Sequence, residues 1–119
     1  MQVGVFGLGE GGLLALYAGA VDPRIDVTWV GGYFESRNKA WQEPIYRNVF
    51  GLLREFGDAE LASLIAPRAL ITASGPAIDI KGPPAPRAGR GGAAPGLWTT
   101  PDPAATTREF ERFLGLVKG

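Results

Sequence analysis

An α/β fold built on a parallel sheet is what this sequence predicts, and three observations predict it. Short, apolar, β-prone runs recur at residues 2–6, 25–30 and Ala69–Ala73. Helix-like stretches separate them, so the strands pair in parallel through right-handed crossovers. A glycine-rich turn, Gly7-Leu8-Gly9-Glu10-Gly11-Gly12, joins the first run to the first helix. Parallel sheets carry helices on both faces, which gives the expected three-layer αβα arrangement.

Residues 2–6 (QVGVF) are apolar and meet glycine at once, as a buried strand does. Residues 13–20 (LLALYAGA) are apolar nearly all round, the pattern of a helix buried against a sheet. Asp22-Pro23-Arg24 ends that helix, residues 25–30 (IDVTWV) form the second strand, and Gly31-Gly32 closes it. The stretch 33–44 is polar and irregular. Ile45, Val49, Leu52, Leu53 and Phe56 then make a helical stripe, which Gly57 stops. Asp58 fits the N-cap of a short helix carrying Leu61, Leu64 and Ile65. Pro67 ends it, and Ala69–Ala73 (ALITA) is the third strand.

Residues 82–103 (GPPAPRAGRGGAAPGLWTTPDP) suit no regular element, because proline lacks an amide donor and glycine is conformationally loose. A surface excursion or linker is expected there; loops this long are also often functional. The last helix starts near Pro101 and carries Phe110, Phe113, Leu114 and Val117 on one face. The 119 residues allow one domain. Three parallel strands make a small sheet, so residues 1–119 read as part of a larger domain. The remainder is expected before Met1, after Gly119, or both.

Twelve Lys and Arg balance 12 Asp and Glu, for a net charge of zero. No broad electrostatic footprint for nucleic acid or an anionic membrane is expected. No run approaches the ~20 apolar residues of a membrane span. Residues 1–20 lack a basic leader and are interrupted by Glu10, unlike a signal peptide. With no cysteine, disulfides and thiolate chemistry are excluded. With no histidine, the commonest general base and metal ligand is missing. No metal or other cofactor is expected, and nothing marks a compartment.

The glycine turn admits two chemistries. Gly7, Gly9 and Gly12 fit G-x-G-x-x-G between strand and helix, where a dinucleotide pyrophosphate approaches backbone amides. An acid should then close the second strand to hold the ribose, but that strand ends in Gly31-Gly32 and the next acid is Glu35. Glu10 also sets a carboxylate where a phosphate would lie. Alternatively, Gly7-Leu8-Gly9-Glu10-Gly11 takes the five positions of the nucleophile elbow G-x-S-x-G, with glycine in place of the central serine. The outer glycines would let strand and helix pack closely.

The stretch VGVFGLGEGGLLALYAGAVDPRID resembles the elbow region of α/β-hydrolases of the acetyl xylan esterase and dienelactone hydrolase type. A second stretch, YRNVFGLLREFGDAELASLIAPRALITASG, resembles the part leading into the seventh strand of that fold. The resemblance implies that the three runs are strands five, six and seven, and that strands one to four and eight are absent. It puts Gly9 at the nucleophile position, so no nucleophile is present. It makes the backbone amide of Glu10 the oxyanion-hole donor and Asp79 the candidate triad acid. The histidine would follow the missing strand. An active relative would act on a small-molecule ester or an acylated carbohydrate, and the rest of the hydrolase domain is expected in a parent chain.

Each candidate also has an ordinary reading. Glu10 is either a displaced carboxylate nucleophile or base, or an acid favoured by the helix dipole in the first turn. Asp79 is a remnant triad acid or a loop aspartate. Ser36 and Ser74 have no histidine partner and are rejected as nucleophiles. Trp29 suits the core, while Trp41 and Trp98 could line a cleft. Arg87 and Arg90 could clamp an anion or simply be solvated. The resemblance implies an α/β-hydrolase-like domain of esterase ancestry, and the absent nucleophile and histidine imply that it lacks serine-hydrolase activity. A non-catalytic binding or scaffold domain, and dinucleotide binding through GLGEGG, are the alternatives.

Overall fold

A computed structural model describes residues 1–76, 79–82, 88–89 and 96–119. Three strands, β1 (Gly4–Leu8), β2 (Val27–Gly31) and β3 (Ala69–Ala73), form a parallel sheet in the order β1-β2-β3. The chain is α/β, as expected. The third strand has the bounds read from the sequence. The first two begin two residues later than expected. At its far end β1 also runs on to Leu8, because the turn is shorter than the glycine run suggested. Only Gly9 separates β1 from helix α1 (Glu10–Val21), so Leu8 belongs to the strand and Glu10 to the helix.

The expected three layers are not present among the described residues. Helix α1, helix α3 (Asp58–Ser63) and helix α4 (Pro103–Lys118) all pack on one side. Their core joins Leu16 and Val30 to Ala59, Leu61, Ala62, Ile65 and Phe113, with Tyr33 and Phe34 entering from the strand β2 exit. Among the described residues nothing covers the opposite face. Phe6 and Leu8 there are 73% and 68% exposed, and Ile71 is 48% exposed. Trp29, expected in the core, lies on this bare face and packs its ring 4.5 Å from that of Phe6. Register explains this: Phe6, Trp29 and Ile71 are cross-strand partners, and side chains alternate between faces.

The expected helix over Ile45–Phe56 is broken. One 3-10 turn spans Ala40–Gln42, another Ile45–Arg47, and the α-helix α2 covers only Leu52–Glu55. Gly51 adopts a left-handed φ of 76°, which interrupts the stripe. Arg47 is drawn inward, leaving Ile45, Val49 and Leu53 exposed. In α3 the N-cap is Gly57, not Asp58. The first turn is held instead by two glutamates. Glu60 accepts from the Gly57 amide at 2.8 Å, and the buried Glu109 of α4 accepts from the Ala59 amide at 3.0 Å. Arg112 ties both glutamates together. Helix α4 starts later than Pro101, with Asp102 as N-cap accepting from the Ala105 amide at 2.7 Å.

The stretch expected to lack regular structure contains a strand. β4 (Asp79–Lys81) and β5 (Leu97–Thr99) pair antiparallel, with Ile80 opposite Trp98. Both triplets are free of proline and glycine. Residues 83–87 and 90–95, including Arg87 and Arg90, lie outside the described residues.

Candidate functional site

In open α/β sheets, ligands gather beyond the carboxyl ends of the strands. Here that end is built by Gly9, Glu10, Gly32 and the connector after β2. Gly9 stands alone between strand and helix with φ 60° and ψ −117°, a conformation that side-chain-bearing residues rarely adopt. Its amide donates to the Gly31 carbonyl at 2.9 Å, which pins the turn to β2. A Cβ on Gly7 would fall 1.8 Å from the Gly11 carbonyl oxygen, and one on Gly12 would fall 2.6 Å from the Gly31 oxygen. Gly11, expected to be the second packing glycine, has open space around it. Gly12 takes that part because it, not Gly11, faces β2.

Trp98 covers the Gly9 turn. Its indole carbon would lie 2.8 Å from any Cβ at Gly9, and its N–H donates to Glu10 Oε1. Glu10 Oε1 also accepts from Arg47, through Nε at 2.8 Å and through Nη2. The Arg47 guanidinium lies 5.6 Å from the centre of the Trp98 ring and 5.5 Å from that of Tyr33. Trp98 therefore lies against the candidate position Gly9, where it fills the space rather than lining an open cleft. Glu10 is more than a first-turn acid: it anchors both the connector and the hairpin to α1.

A chain of buried charges continues from Arg47. Arg47 and Arg37 share Glu43, at 3.2 Å and 2.7 Å. Arg37 also bonds Asp58 at 3.0 Å, donates to the Tyr33 carbonyl, and stacks 4.0 Å over the Tyr33 ring. Asp58 accepts a further bond from the Glu35 amide at 3.1 Å. Burial pushes the Asp58 carboxyl up to about 7 against the opposing pull of Arg37. Burial likewise raises Glu35 and the Tyr33 hydroxyl. Tyr33, Arg37, Glu43, Arg47 and Asp58 surround a cavity of about 20 Å³, on the scale of one water.

Asp79 is not part of this constellation. It sits exposed in β4 and lines an open crevice of about 1200 Å³ with Glu35, Lys39, Asp102 and Arg108. Among the described residues no hydrogen bond or ion pair joins it to Gly9 or Glu10. Ser36 lines the same crevice, and Trp41 is exposed on the connector. The network residues Arg37, Glu43, Arg47 and Asp58 carry no motif that marks them in the sequence as site residues. Arg37 and Glu43 lie where hydrophobic periodicity is silent, Arg47 falls within the expected helical stripe and Asp58 at the expected N-cap, so only the density of charges between Glu35 and Arg47 hints at a site.

Among the described residues no group of three or more His, Cys, Asp or Glu could hold a metal ion, and no helix is long and apolar enough to cross a membrane. Comparison with family models, with curated proteins and with solved structures finds no match to this chain.

Proposed function

We propose that the chain is an α/β-hydrolase-like domain of esterase ancestry in which the elbow has been retained and the chemistry lost. The observation that carries this reading is the one-residue turn at Gly9. A strand, a single residue at φ 60°, ψ −117° and a helix form the sharp, strained turn that a nucleophile elbow requires. The close packing of Gly7 on α1 and of Gly12 on β2 supports it. The Glu10 amide opens α1 at the position of an oxyanion donor. Gly9 offers no nucleophile, the chain has no histidine to accept a proton, and Trp98 occupies the space above the turn. The Glu10 carboxylate is engaged by Arg47 and Trp98, which suits an anchor better than a displaced nucleophile. A domain so arranged binds or scaffolds rather than turns over. For an active relative the substrate class implied by the resemblance remains a small ester or acylated carbohydrate.

Dinucleotide binding is the second reading, because the three constrained glycines are Gly7, Gly9 and Gly12, the spacing of G-x-G-x-x-G. Trp98 and the Glu10 carboxylate stand where a pyrophosphate would need to lie. Two measurements separate the readings. Gly9→Ser should remain unlabelled by a fluorophosphonate probe, since serine without a base is a weak nucleophile. Labelling at a rate typical of serine hydrolases would sink the silent-elbow reading. Titration with NAD should give no saturable signal, and saturable binding would transfer the turn to a dinucleotide site.

A further inference from the structure

Trp98 is half-buried and lies outside the hydrophobic core, yet its indole makes three fixed contacts at the carboxyl end of the sheet. The ring edge rests on the bare backbone of Gly9, where a Cβ would fall 2.8 Å from an indole carbon. The ring N–H donates to Glu10 Oε1. The Arg47 guanidinium stands 5.6 Å from the ring centre. None of the three groups depends on the indole for its position. Gly9 is pinned through its amide to the Gly31 carbonyl at 2.9 Å. Glu10 Oε1 is held by Arg47 Nε at 2.8 Å, and Arg47, fully buried, is fixed from behind by Glu43 at 3.2 Å. The Glu10 side chain is 41% exposed, so this acceptor is open to solvent. The backbone that carries Trp98 is also anchored apart from its indole. Strand β5 pairs with β4, with Ile80 opposite Trp98. Gly96, just before β5, packs so closely on the connector that a Cβ there would fall 2.5 Å from the Pro44 nitrogen. Trp98 can therefore leave by rotating its side chain while the hairpin stays in place.

We propose that Gly9, Glu10 and Arg47 form a binding site for a small planar aromatic molecule carrying an N–H donor, and that Trp98 occupies it as an internal ligand. Each group selects one property of that molecule. The bare backbone at Gly9 takes a flat ring. Glu10 takes a donor. The guanidinium beside the ring favours a π system, and because it already pairs with Glu10, a neutral ring suffices. The β5 backbone stays across the site, so a tryptophan of another polypeptide, arriving with its own main chain, does not fit, and the ligand is a free molecule. This inference rests on the binding role proposed above and names its ligand class. It does not need hydrolase ancestry: probe labelling of Gly9→Ser tests the silent elbow, and ligand titration tests the site.

Titration of the whole chain with indole, read by ligand-detected NMR with folding followed by far-UV circular dichroism, is the experiment. Trp98→Ala empties the site without removing a core side chain, and should bind indole saturably at ~0.1–1 mM, the range for a molecule of this size. Indene, of the same shape but without the N–H, should bind about tenfold more weakly, since a hydrogen bond to a charged acceptor is lost. In wild type the tethered Trp98 competes at an effective concentration in the mM range, so indole should bind about fivefold more weakly than to Trp98→Ala. Trp41→Ala, which removes an exposed tryptophan from the connector, should match wild type. N-acetyltryptophanamide should bind Trp98→Ala less tightly than indole does. No saturable binding by folded Trp98→Ala would overturn the proposal. So would indene binding as tightly as indole, which would reduce the site to an apolar gap, or wild type binding as tightly as Trp98→Ala, which would place binding elsewhere. Tighter binding of N-acetyltryptophanamide would assign the site to a peptide and overturn it as well. If Trp98→Ala fails to fold, Trp98→Phe, which keeps a ring without a donor, should bind indole roughly threefold more tightly than wild type, because its tethered competitor is weaker; equal affinity would overturn the proposal.

Discussion

Gly7→Ala and Gly11→Ala differ only in which of two glycines four residues apart gains a methyl group, yet they should move stability in opposite directions. At Gly7 the new Cβ would lie 1.8 Å from the Gly11 carbonyl oxygen, 2.1 Å from the Gly11 carbonyl carbon and 2.7 Å from the Gly12 nitrogen. All three are backbone atoms, so no rotamer change relieves the contact. The N-terminus of α1 would have to retreat by roughly 1.5 Å to restore van der Waals distance. That would loosen the Gly9 amide from the Gly31 carbonyl and the contact of Gly12 with β2. Overpacking against side chains costs ~1–3 kcal/mol; against fixed backbone, about 3 kcal/mol or more is expected. Gly11 lies in the first turn of α1, and a Cβ there would meet no atom within 4 Å. Alanine at this position should gain roughly 0.5–1 kcal/mol from the reduced entropy of the unfolded chain. Urea unfolding followed by circular dichroism reads both, and midpoint changes at constant slope convert directly. A Gly7→Ala variant within ~0.5 kcal/mol of wild type, or a Gly11→Ala variant less stable than wild type, would refute the packing described at the turn.

Three further outcomes follow from the charge network. Glu109→Ala removes the acceptor of the buried Ala59 amide and one partner of Arg112; a loss of about 2 kcal/mol in urea unfolding is expected, and no loss would show that the contact does not cap α3. The raised Asp58 carboxyl makes folding favour its protonated form. Its contribution to stability is therefore fully present below the ordinary carboxylate range and is lost as pH rises through about 7. Wild-type Tm should fall between pH 5 and pH 8 more steeply than that of Asp58→Asn, and equal slopes would assign the dependence elsewhere. Arg112 holds the Glu60 carboxyl down to about 2, so that pair stabilises above the ordinary glutamate range and fails as pH falls towards 2. Glu60→Gln should blunt the acid limb of the Tm profile, and an unchanged limb would contradict the assignment.

Much of the sheet was legible in the sequence because buried parallel strands read as short apolar runs between breakers. Ala69–Ala73 shows this in its bounds, although none of its residues is buried among the described residues. The parallel order followed from the intervening helices. The layer count did not follow, because apolar runs do not say whether both faces find a cover: Phe6 and Ile71 look as buried in sequence as Val30. The Ile45–Phe56 stripe misled because periodicity ignores what Arg47 can gain by turning inward to Glu10 and Glu43. At the candidate site, the one-residue turn at Gly9 was visible as a glycine pattern on a strand-to-helix junction. The role of Trp98 was not, since it depends on a hairpin whose two short strands are separated by 15 residues of sequence between Lys81 and Leu97.

Rapid mixing of the whole chain with p-nitrophenyl acetate tests the account most directly, because an acyl-enzyme that turns over would report a catalytic nucleophile whatever its identity. With Gly9 at the elbow, no histidine and Glu10 held by Arg47 and Trp98, the account predicts no burst and no turnover above a matched protein blank. A burst stoichiometric with protein, followed by steady hydrolysis, would contradict it.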